Sequence, residues 1–92
     1  MDAQRAIDEL KKIGQQNVTA SATDKSRHMS IRPQRPKKDG TVHYWAIDLT
    51  TKELMALVDM AVLASNEGRL GASGMTTHQY DALMNWKRQY IR

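Results

Sequence analysis

At the N-terminal end the apolar positions recur with helical spacing: Ala3, Ala6, Ile7, Leu10 and Ile13 fall on one stripe. Asp2 stands where an N-cap belongs and Gly14 where the helix should stop, so the pattern predicts an amphipathic helix covering one side of a core. Asp8 and Lys12, four apart with the acid first, form a favourable pair on its exposed face. From Asn17 the period changes to two. Val18, Ala20 and Ala22 alternate with Thr19, Ser21 and Thr23, as a half-buried strand requires. Asp24-Lys25-Ser26 supplies a turn, and Arg27 to Arg32 then puts Met29 and Ile31 on one face, which completes an expected hairpin.

Pro33 and Pro36 interrupt regular pairing, and Asp39-Gly40 closes the stretch with turn chemistry, so 33–40 reads as a projecting cationic loop. Thr41 to Leu49 reads as one strand with Val42, Tyr44 and Ala46 on one face and His43, Trp45 and Ile47 on the other. Next comes a capping box: Thr50 as N-cap, Glu53 three residues on, and Leu49 with Leu54 as hydrophobic staple. It opens a helix over 51–66 whose apolar residues wrap more than one face, as a central helix requires. The linker 68–74 holds Gly68, Gly71 and Gly74 and should be mobile or tightly turned. Thr76 and Gln79 then repeat the box and start a helix over 77–91. The order is α-β-β-β-α-α, a single α+β domain over 1–92 with a three-stranded antiparallel sheet packed against helices.

Ninety-two residues suffice for one small core and no second domain. The chain has no cysteine, which excludes disulfides, thiolate metal sites and cysteine nucleophiles. The opening Met1-Asp2-Ala3-Gln4-Arg5 is polar and no long apolar run follows, so neither a signal peptide nor a membrane span is expected, and a cytoplasmic location is. Asn17-Val18-Thr19 matches the glycosylation sequon by coincidence on this reading.

The net charge of +4 is unevenly placed: residues 1–24 sum to −1, residues 25–43 to +5 and residues 44–92 to zero. Such clustering attracts phosphates or acidic surfaces. Arg27, Arg32, Arg35, Lys37 and Lys38 lie along the arm and its loop, where several can reach a phosphodiester backbone together, and Arg88 stands behind them in the last helix. The segment Asn85 to Arg92 interleaves aromatic and basic residues, but Trp86 and Tyr90 are four apart and are expected to pack on the core, leaving a polar edge for contact.

Other chemistry is poorly supported. The glycines of 68–74 lack the preceding strand and the Gly-Lys-Ser/Thr end of a P-loop, and Ser73 is not in a nucleophile elbow. His28, His43 and His78 lack metal-ligand spacing. No cofactor, no metal and no enzymatic activity are therefore expected.

In its size, its lack of cysteine, its small α+β plan and the cationic arm from Arg27 to Lys38, the chain resembles the small phage-encoded anti-CRISPR proteins and related host-takeover inhibitors. That resemblance implies an inhibitor in the host cytoplasm. It would dock on a multi-protein RNA-guided nucleoprotein complex, such as a CRISPR surveillance complex, with the basic arm blocking nucleic-acid access. The residues themselves leave open a DNA- or RNA-binding accessory protein that acts without an effector complex. A homodimer through Trp45 and the apolar belt of the central helix is also compatible with the pattern.

Overall fold

The computed structural model describes residues 1–23 and 32–91. Helix α1 (Ala3–Thr23) begins as expected, with Asp2 Oδ1 accepting the backbone N–H of Arg5 at 2.8 Å. It does not stop at Gly14. The stripe Ala6, Ile7 and Leu10 continues through half-buried Ile13 to Asn17, which is only 1% exposed, so the expected strand over 17–23 is the second half of a helix. Val18, which strand alternation would have turned inward, is 53% exposed. The alternation rested on alanine, serine and threonine. Alanine is the best helix former, and one glycine costs a helix only about 1 kcal/mol. The surface pairing also differs: Lys12 bonds Glu9 at 3.3 Å, while Asp8 accepts from the Gln4 amide at 3.1 Å.

Among the described residues the sheet has two strands, not the expected three, and the order is α-β-β-α-α. Strands β1 (Thr41–Tyr44) and β2 (Ile47–Thr50) pair antiparallel with Tyr44 opposite Ile47 and Thr41 opposite Thr50. The single strand expected over 41–49 is thus a hairpin folded at Trp45-Ala46. The other expected strand, Arg27 to Arg32, lies outside the described residues except for Arg32. Nothing local announces the turn: it holds no glycine, asparagine or aspartate, and Trp45 adopts φ 59°, a left-handed conformation that costs an ordinary residue about 1–2 kcal/mol. The cost is met by a long-range contact. The buried Asn17 side chain accepts the Ala46 N–H at 2.9 Å and donates to the Ile13 carbonyl at 3.2 Å, which fastens the hairpin tip to α1.

Val42 and Tyr44 are buried on the inner face of the hairpin, with Leu49 packed beside them, against α1 and α2. Burial pushes the Tyr44 phenol up to about 12. Helix α2 (Thr51–Asn66) starts at the expected box, Thr50 Oγ1 accepting from Glu53 N at 3.0 Å and Glu53 Oε1 from Thr50 N at 2.9 Å. It is the central helix, with Leu54, Leu57, Val58, Met60, Ala61 and Ala64 buried. The linker is tightly turned: a 3-10 turn (Leu70–Ser73) is closed by the Ser73 hydroxyl donating to the Leu70 carbonyl at 2.6 Å, and Gly74 at φ 82° releases the chain. Helix α3 (Thr77–Tyr90) then begins at the Thr76–Gln79 box and buries Leu83 and Trp86.

Candidate nucleic-acid interface

The two prolines dictate how the basic segment lies. Each fixes its own φ and lacks an N–H, so a full ladder cannot form beside β1. The amides that remain do pair: Gln34 N–H donates to the His43 carbonyl at 2.9 Å and Lys37 N–H to the Thr41 carbonyl at 2.8 Å. Gly40, at φ 84°, closes the reversal with its N–H on the Lys37 carbonyl at 3.0 Å. Asp39 Oδ1 accepts from both the Thr41 hydroxyl at 2.6 Å and the Thr41 N–H at 2.9 Å. These bonds, the hydroxyl first, hold the Asp39 carboxyl below its ordinary pKa. From the other side, the Trp86 indole N–H donates to the Gln34 carbonyl at 3.0 Å, and Pro33 is buried. The segment is therefore not a projecting loop. It is an edge pinned along β1 and tied to α3.

The basic side chains named from the sequence have different fates on this edge. Arg35 and Lys38 are exposed and have no partner among the described residues. Lys37 Nζ lies 3.4 Å from Asp48 Oδ1, and the same oxygen is 2.9 Å from His43 Nδ1 across the hairpin. The His43 hydrogen bond first, and the Lys37 charge after it, hold the Asp48 carboxyl below its usual range. Folding thus sets Asp48 beside the basic run, where it meets Lys37, while Asp39 is held by Thr41. Arg32 is exposed at the start of the edge, Arg27 lies outside the described residues, and Arg88 on α3 is hydrogen-bonded to Asn85 Oδ1.

Where the edge meets α3 there is a groove of about 250 Å³ between Arg32-Pro33 and the helix, with His78, Asp81, Asn85, Trp86, Gln89 and Tyr90 on the helix side. Asp81, Asn85 and Gln89 are spaced four apart, one stripe of a helix. That spacing was a readable signal. Nothing in the sequence showed that Arg32 would stand opposite it. Two other features also went unseen: the Asn17 clamp and the Asp48 carboxylate shared by His43 and Lys37.

Among the described residues no group of three or more His, Asp or Glu side chains gathers to hold a metal ion, and no helix is long and apolar enough to cross a membrane. No family model, curated protein sequence or solved structure matches the chain.

Proposed function

We propose that this chain is a small basic binding protein that docks on a nucleic-acid-handling nucleoprotein complex, in the manner of a phage inhibitor of an RNA-guided complex, and obstructs nucleic-acid access. The observation that carries the reading is the pinned edge. Arg35 and Lys38 project from a backbone held by Gln34, Lys37 and Trp86, so little backbone freedom is lost when they meet phosphates. Clustered charge on a fixed support raises association rate and orients docking. Lys37 contributes less, because binding must first draw it from Asp48.

The test is affinity capture of the tagged chain from a bacterial lysate with and without nuclease, followed by mass spectrometry. The expected result is a multi-protein partner that survives nuclease and is lost with Arg35→Ala/Lys38→Ala. Recovery of nucleic acid alone, eluted steeply by salt, overturns docking in favour of an accessory nucleic-acid binder. Undiminished capture by the double variant overturns the placement of the interface.

A further inference from the structure

We infer that the groove between Arg32-Pro33 and α3 receives an unpaired nucleobase, so the nucleic acid met by the basic edge is single-stranded; this rests on the nucleic-acid reading of that edge. The shape and the chemistry of the lining agree. At about 250 Å³ the groove is smaller than the ~300–1,000 Å³ sites that enclose drug-sized ligands, which suits one ring system better than a whole cofactor. Its aromatic wall is braced: Tyr90 is half-buried with its ring centroid 5.9 Å from that of Trp86, and Trp86 is itself fixed by its bond to Gln34. A held aromatic ring stacks on any base with little entropy to lose.

The polar lining, which combines Arg32 and His78 with Asp81, Asn85 and Gln89, offers a base edge both donors and acceptors. Asp81 accepts the N–H donors that bases carry on their pairing edges and offsets the Arg32 charge at the groove. The Gln89 amide, exposed and with no partner among the described residues, offers a donor and an acceptor one turn or two along the same stripe. Asn85 has its Oδ1 occupied by Arg88, which leaves its NH₂ to donate. Phosphates belong instead on the pinned edge, since Pro33 lines the groove and Arg35 follows two residues later. In a duplex the pairing edges are already engaged and the base faces are stacked, so a paired strand can use only the basic edge.

The experiment measures, by fluorescence anisotropy at fixed salt, binding of a labelled single strand of about 10 nucleotides and of the same strand in a duplex. The full chain should prefer the single strand at least tenfold. Tyr90→Ala should weaken single-strand binding roughly 5- to 100-fold, the range for losing one stacked base, and leave duplex binding unchanged. Because Tyr90 also touches the core, Asp81→Ala/Gln89→Ala, both exposed, is the second variant. It should lower single-strand affinity several-fold without changing the melting temperature. Equal affinity for the two forms, or unchanged single-strand affinity in the double variant, overturns the groove. If both forms bind equally and Arg35→Ala/Lys38→Ala abolishes that binding, the groove fails while the basic edge stands. If neither form binds, the groove also fails, and lysate capture separately decides the docking reading.

Discussion

Gly14 separates two accounts of the first third of the chain, because they assign opposite signs to one methyl group. In the structure it lies inside α1 with an ordinary negative φ, and a Cβ built there meets nothing within 4 Å. Gly14→Ala then removes the helix-interior penalty of glycine, about 0.5–1 kcal/mol, with no steric offset. A domain of this size gains about 4–8 °C in Tm per kcal/mol, so a rise of roughly 2–8 °C is expected in a thermal melt followed by far-ultraviolet circular dichroism. Had Gly14 terminated the helix in the left-handed conformation, the same methyl would cost about 1 kcal/mol or more. Gly74→Ala supplies the internal contrast: at φ 82° it should lower Tm even though the space around it is equally open. A Tm for Gly14→Ala several degrees below that of the parent would refute a continuous α1.

Asn17→Ala should destabilise by about 1–3 kcal/mol in a denaturant titration, because the Ala46 N–H loses its acceptor at a turn that Trp45 already strains; a change within error would refute the clamp. Trp86→Phe keeps one aromatic ring but removes the indole N–H and part of a buried side chain, which releases the Gln34 carbonyl. It should cost about 1–3 kcal/mol and speed tryptic cleavage after Lys37 and Lys38, whereas unchanged proteolysis would show that the edge is held without that bond. For Asp48 the folded pKa is depressed, so its contribution is fully present above the unfolded value of about 3.9 and is lost as pH falls through the lower folded value. Asp48→Asn should therefore be less stable than the parent at neutral pH by an amount that vanishes once the pH has fallen through the lowered folded value, and a pH-independent difference would sink the assignment.

The parts of the fold that could be read from the chain are those whose signal and response lie within a few residues. Thr50 with Glu53 and Thr76 with Gln79 each complete a box across three positions, and α2 and α3 begin where those boxes stand. The prolines at 33 and 36 limit pairing beside β1 for an equally local reason, the missing N–H. Charge clustering was visible too, since it is a count along the chain.

What went unread was set by contacts between distant positions. Gly14 has weak local preferences, and the helix runs through it because Ala6, Ile7, Leu10 and Asn17 share one buried face with α2 and the hairpin. The turn at Trp45 has unfavourable local preferences and exists because Asn17, 29 positions earlier, accepts the Ala46 N–H. The cationic segment has no local reason to lie flat, and is held by His43, Thr41 and an indole 52 positions away from Gln34. Local terms of about 1 kcal/mol decide an element only when packing is indifferent. Here the caps, the prolines and the placement of charge were settled along the chain. The length of α1, the split of the strand and the groove facing α3 followed from which buried groups met in space.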